Sequence, residues 1–339
     1  MFPMNAPRPL LGFALASALL GGCATTPATP ATSAASEGAT TSTPAPIGGE
    51  IPFRFQPDVQ KPWGLRVARH RTLPAPPGAE GSLHFDTEED SRLWASRAPT
   101  GEWILDEVLT RHSETKNGEP DEDPILQALQ GVTVGMEITP EGKFKSAVDP
   151  ARAVQQIARR TPGGEQLPAE EFAKEVERDW RLGAQVYFEQ PVRVNQPVYS
   201  LLSVSLPQLP GRYVAVAETF AAPVPASGGG QKVTSSEQIF GRADPRWSAA
   251  RAKLAPLMQQ VGITEDQLLE EFAGTGSETV GVQTLQVFSS GYHGEGVFPL
   301  ATPRGNFKLR FEVEEVAGEI AAPPIPTDPG QTAQLLPRR

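Results

Sequence analysis

The segment Ser290-Gly291-Tyr292-His293-Gly294-Glu295-Gly296 sets a phenol, an imidazole and a carboxylate side by side among three glycines. An imidazole titrates near neutral pH, and an adjacent acid or hydroxyl can orient it or exchange a proton with it. The glycines predict a loop, so Tyr292, His293 and Glu295 are read as a candidate recognition loop; a plain hairpin connection would carry the same sequence. The other histidines, His70, His84 and His112, are scattered. No H-E-x-x-H or H-x-x-x-H pair brings two onto one helical face, so no zinc site is expected. The acidic run Glu119-Pro120-Asp121-Glu122-Asp123-Pro124 contains two prolines and lacks the turn-forming glycine of a calcium loop, so it reads as a solvated loop. There is no G-x-S-x-G nucleophile elbow, no phosphate-binding G-x-x-x-x-G-K-[ST] and no dinucleotide fingerprint. Gly228-Gly229-Gly230-Gln231-Lys232 reads as a hairpin turn. Trp63, Trp94, Trp103, Trp180 and Trp247 read as packing residues, with a lipid pocket as the alternative. The expectation is no catalytic residue, no metal and no cofactor.

One cysteine, Cys23, stands alone in the chain, which excludes an internal disulfide framework. It follows a short N-terminal stretch whose one charge is Arg8 and an apolar run from Leu10 to Leu20, too short to span a bilayer but of signal-peptide length. Leu20-Gly21-Gly22-Cys23 resembles the lipobox of bacterial lipoproteins. The two glycines let a peptidase close on the backbone, and the thiol is a nucleophile able to carry a thioether-linked diacylglycerol. The resemblance implies recognition of Leu20, Gly21 and Gly22 by a signal peptidase of type II, cleavage before Cys23, and acylation by palmitate-like chains. Ala24 in place of Asp after the cysteine implies export to the outer membrane. Two or more acyl chains anchor a protein stably, so the bilayer is an expected partner. The periplasmic face is the expected side, with the cell surface as the alternative.

The 40 acidic against 30 basic residues give a net charge of -10, which argues against nucleic acid as a partner. Cleavage would remove Arg8 and no acid, leaving 29 against 40, so the body should stand off anionic headgroups and leave anchoring to the lipid. Ala24 to Gly49 is a Pro/Thr/Ala/Ser tract with one charge, Glu37, and cannot bury enough surface to order itself. The organisation is a signal peptide over 1–22, a lipidated cysteine and tether over 23–49, a folded body over 50–317 and a Pro-rich tail over 318–339.

The elements that must position any site are mostly strands. Asn306 to Val313 alternates apolar and polar residues, as do Val132, Val134, Met136 and Ile138, which lead through Thr139-Pro140-Glu141-Gly142-Lys143 into a hairpin. Further strands are predicted at 53–57, 64–72, 102–111, 185–190, 197–206, 211–221, 232–240 and 279–289. Helices are predicted after Asp149-Pro150, after Pro168, after Asp244-Pro245 with a kink at Pro256, and from the capping box Thr264-x-x-Gln267 to Gly274. Segregated strands and helices predict an α+β fold: an antiparallel, curved sheet with two helix pairs packed on one face. The body is similar in organisation to many envelope lipoproteins of Gram-negative bacteria, which implies no activity. The expected function is a non-enzymatic binding or envelope-scaffold module with an envelope protein as partner. The alternatives are a carrier or receptor for a lipid or other apolar ligand, and an enzyme with a dispersed active site.

Overall fold

A computed structural model describes residues 48–59, 61–75, 81–121, 124–161, 168–204, 211–227, 229–302 and 305–325. The Leu20–Cys23 motif and most of the tether and tail lie outside the described residues. Among those described, no helix is long and apolar enough to cross a membrane.

The chain runs through β1 (Glu50–Ile51), β2 (Trp63–Pro74), β3 (Ser82–Arg97), β4 (Trp103–Lys116), β5 (Glu119–Pro120), α1 (Pro124–Leu129), β6 (Thr133–Ile138) and β7 (Phe144–Val148). Helices α2 (Pro150–Arg160) and α3 (Ala169–Trp180) follow; a π-helical turn (Arg181–Gln185) joins α3 to α4 (Val186–Glu189). The second half holds β8 (Val192–Arg193), β9 (Pro197–Val204), β10 (Arg212–Phe220), β11 (Val224–Pro225), β12 (Gln231–Phe240), α5 (Trp247–Val261), β13 (Phe272–Gly281), β14 (Val287–Thr302) and β15 (Gly305–Ile320).

One large sheet takes the order β7-β6-β4-β3-β2-β15-β14-β13-β12-β10-β9, with β5 and β11 added at its sides. It consists of two meanders whose seam is the antiparallel pairing of β2 with β15, where Glu315 lies opposite Arg69. The α+β class and the antiparallel sheet are as the sequence predicts. The sheet is open rather than closed into a barrel. It also curls: the Arg212 guanidinium on β10 reaches to 5.6 Å from the Phe298 ring on β14, three strands away, where flat strands would lie roughly 14 Å apart.

Alternation assigns the two faces. On the inner face, Leu65 and Val67 of β2, Leu93 of β3, Phe220 of β10 and Val280 of β13 join one apolar cluster, covered by α2, α3, α4 and the segment around Phe55. Farther along the same strands, Leu73, Phe85, Val216, Ile239, Phe298 and Phe311 form a second inner cluster. The outer face of β9, β10 and β12 (Leu201, Tyr213, Ala215 and Phe240) packs against Ala250, Leu254 and Leu257 of α5.

The local readings fare unevenly. Helix α2 is capped as expected, with the Asp149 side chain accepting from Arg152 N, and α3 buries Phe172, Val176 and Trp180. Helix α5 runs through Pro256. The helices occupy both faces: α5 sits on the outer one because its apolar stripe meets Leu201 and Ala215, which alternate away from the inner clusters. The capping box at Thr264 is present but closes a single 3-10 turn, Glu265–Gln267. The backbone then straightens because Leu269 N donates to Tyr213 O at 2.9 Å, which docks it on the sheet. The strand predicted at 185–190 is the end of the π-turn and α4, where Val186 and Tyr187 bury into the first cluster; packing overrides their β-propensity. Residues 53–57 form no strand; Arg54 N and Gln56 N donate to Val282 O and Gln283 O instead. The body continues past 317, because β15 pairs with β2 as far as Ile320.

Candidate functional site

The 290–296 segment is not a loop. It lies inside the 16-residue strand β14. Its glycines clear space for rings: a β-carbon on Gly294 would fall 2.5 Å from Phe272 Cζ, and one on Gly296 would fall 2.7 Å from Phe272 Cδ2. Alternation then separates the trio. Tyr292 is buried on the inner face, while His293 and Glu295 are exposed on the outer face. The three side chains do not meet at one tip.

Tyr292 instead belongs to a row of directly paired inner-face positions. Thr87 lies opposite Arg69, Arg69 opposite Glu315, Glu315 opposite Tyr292, Tyr292 opposite Gly276, Gly276 opposite Glu237, and Glu237 opposite Glu218. This polar belt crosses from β3 to β10 between the two apolar clusters. Glu89, Glu107 and His112 extend it at one end, and Ser235 and Glu278 flank it at the other; all are buried.

The first half of the belt is organised by Arg69. Its Nη1 donates to Glu89 Oε2 at 2.7 Å and its Nε to Glu315 Oε2 at 2.5 Å. His112 Nδ1 lies 3.4 Å from Glu89 Oε1. Burial would raise the Glu89 pKa, but Arg69 and His112 overcome it and hold the carboxyl down at about 2. For Glu315 burial wins over Arg69, and its pKa is raised. Glu107, beside Ser91 and with no cation paired to it among the described residues, is pushed by burial up to about 7.

Among the described residues, the second half has no such partner. Glu218, Glu237 and Glu278 each offer a carboxylate oxygen within 4.8 Å of the others. The π-turn carries the chain off α3 so that α4 presents Tyr187 to them, with Oη 3.0 Å from Glu218 Oε2 and 3.3 Å from Glu278 Oε2. Burial raises the pKa of all three acids, to about 7 for Glu218 and well above the ordinary range for Glu237 and Glu278. Both Glu237 oxygens, and Oε1 of Glu218, Glu278 and Glu315, are buried without a hydrogen-bond partner among the described residues. A buried polar group left unpaired costs about 1–3 kcal/mol, and a charged one more.

Sequence reasoning found Tyr292 but missed the rest of this belt. The available signal is parity: in β12, Val233-x-Ser235-x-Glu237-x-Ile239 puts the serine and the glutamate on the same face as two core residues. Cys23 and its preceding glycines lie outside the described residues.

No protein-family model and no curated protein sequence matches the chain. Among solved structures, the chain is similar to one titled for lipid–protein interactions in lipovitellin, at 10% identity and a TM-score of 0.39, over 81% of this chain and 26% of that one. The chain thus spans about a quarter of that protein's length. It is also similar to DynF from the dynemicin biosynthesis pathway of Micromonospora chersina, at 9% identity and a TM-score of 0.17, over 84% of this chain and 92% of that one. At these TM-scores neither likeness carries an argument.

Proposed function

We propose that the chain is a lipoprotein held to the outer membrane by acylated Cys23, facing the periplasm, and that it acts as a non-enzymatic binding module whose ligand seats on the inner face of the sheet. The observation that supports binding there is the polar belt. A sheet built only for rigidity would fill its interior with apolar side chains, since replacing buried charges by packed hydrophobic residues is often neutral or stabilising. Here six carboxylates lie inside, and five of their oxygens on four residues lack a protein donor among Glu218, Glu237, Glu278 and Glu315 alone.

The entry of the tether supports the orientation. Gly48 and β1 pair beside β8 at the end of the body covered by α2, α3 and α4, and β15 ends there too. Pro74 of β2, Val204 of β9 and Gly305 of β15 lie at the opposite end, which would face away from the bilayer.

A second reading, a carrier of a lipid or other apolar ligand, is favoured by the apolar zones on both sides of the belt, which match a molecule with apolar ends and a polar middle. One experiment tests both. The full chain, as wild type and Cys23→Ser, is extracted from a diderm host and analysed by native mass spectrometry and envelope crosslinking. The proposal expects membrane-bound, acylated wild type, an unacylated variant released from the membrane, and a stoichiometric adduct or crosslinked partner. An apolar adduct selects the carrier. Wild type that is unacylated, or that carries neither adduct nor partner, overturns the proposal.

A further inference from the structure

We propose that Glu218, Glu237 and Glu278 hold a divalent cation of the hard, oxygen-preferring kind inside the sheet. The sequence expectation of no metal rested on histidine and cysteine motifs and on contiguous acidic loops. These three acids come from three different strands and leave no such motif.

Four observations carry the inference. One oxygen from each acid lies within 4.8 Å of the other two; with Ca²⁺–oxygen distances of about 2.3–2.6 Å, two oxygens on one ion lie up to about 5 Å apart. Second, Glu237 is 1% exposed and neither of its oxygens meets a protein donor. Tyr187 has one proton to give to Glu218 or Glu278, and its hydroxyl makes no hydrogen bond to Glu237. Third, among the described residues no lysine, arginine or histidine makes an ion pair with any of the three, whereas the neighbouring Glu89 and Glu315 share Arg69. Fourth, Gly276 leaves open the space that the Glu237 carboxylate occupies; a β-carbon there would fall 2.5 Å from its Oε2. Carboxylates alone suit Ca²⁺, Mg²⁺ or Mn²⁺ rather than softer metals. The three converging carboxylate oxygens, with the Tyr187 hydroxyl beside two of the acids, supply part of the six to eight oxygen ligands Ca²⁺ takes.

The test uses the full chain in detergent, stripped with a chelator and titrated with Ca²⁺ by calorimetry, with Mn²⁺ as a paramagnetic probe. Near-UV circular dichroism verifies the fold of each variant. Wild type should bind one ion and melt at a temperature that rises with Ca²⁺ concentration. Glu237→Gln, which keeps the shape and removes the charge, should weaken binding at least about tenfold. Glu312→Gln, an exposed acid of β15 outside the belt, should bind as wild type does. Folded wild type that takes up neither ion at about 10 mM, above the weakest common calcium sites, would show that protons alone occupy the triad and would overturn the proposal. Binding equal in wild type and Glu237→Gln would do the same. The site does not rest on the envelope reading: a missing adduct or partner leaves this titration unaffected, and a failed titration leaves the adduct in place.

Discussion

The Glu237 carboxylate lies across Gly276 of the neighbouring strand, in a space that any side chain at 276 would fill: a β-carbon there would sit 2.5 Å from Glu237 Oε2 and 3.0 Å from Tyr292 Cβ. Glycine inside a strand forgoes packing and conformational restraint, so its presence at a paired central position marks a close approach. Here the approaching group is a buried acid.

Gly276→Ala should therefore destabilise the fold by about 1–3 kcal/mol, the usual cost of overpacking a core. In a Glu237→Ala background, where the carboxylate is gone, most of that cost should disappear. Urea unfolding of the four proteins in this cycle measures the coupling. An equal cost in both backgrounds would mean that Tyr292 or the backbone, not Glu237, excludes the side chain.

The parity of the strands shows how much was legible beforehand. In β15, Phe311 and Val313 are read as inner from their alternation with charged neighbours; the same count puts Glu315 inside, and the Glu314-Glu315 doublet breaks the apolar pattern where the belt begins. In β3 no count would succeed. Its inner face keeps one parity but is polar in the middle, with Thr87, Glu89 and Ser91 between Phe85 and Leu93, and the register shift opposite Asp90 and Ser91 changes the parity of its partner β4. A strand whose buried face is polar gives no period-two hydropathy signal, and β3 was missed entirely. Two of the three glycines of β14, Gly294 and Gly296, misled for a related reason: they accommodate Phe272 and Phe311, which lie distant in sequence.

Arg69 is the charge that allows Glu89 and Glu315 to lie inside. Replacing it with methionine leaves two buried acids without their cation, and breaking a buried ion pair from one side costs about 3–5 kcal/mol. Arg69→Met should lose that much stability at pH 7. The triple variant Arg69→Met, Glu89→Gln, Glu315→Gln should recover most of it, because the two carboxylates that faced Arg69 no longer carry charge. Denaturant midpoints at constant m-value distinguish the two. A triple variant no more stable than the single one would assign the loss to the guanidinium's packing instead.

Glu107 gives the fold a pH dependence of defined sign. Burial raises its pKa from 4.5 to about 7, so the native state keeps a proton that the unfolded chain releases. Between those two values the folded state binds more protons, and stability falls as pH rises. The contribution is complete below about pH 4.5 and is lost by about pH 7, beyond which it stays constant. At about 1.4 kcal/mol per pH unit the loss amounts to about 3 kcal/mol. Glu107→Gln carries no such proton. The stability difference between the variant and wild type should therefore grow in the variant's favour by about this amount from pH 4.5 to pH 8. Glu218, Glu237 and Glu278 titrate in both proteins and cancel in that difference. Urea unfolding at pH 4.5, 6 and 8 measures it, and a difference that does not change with pH would place the ionised Glu107 in contact with solvent or a counter-ion instead of buried beside Leu93 and Leu105.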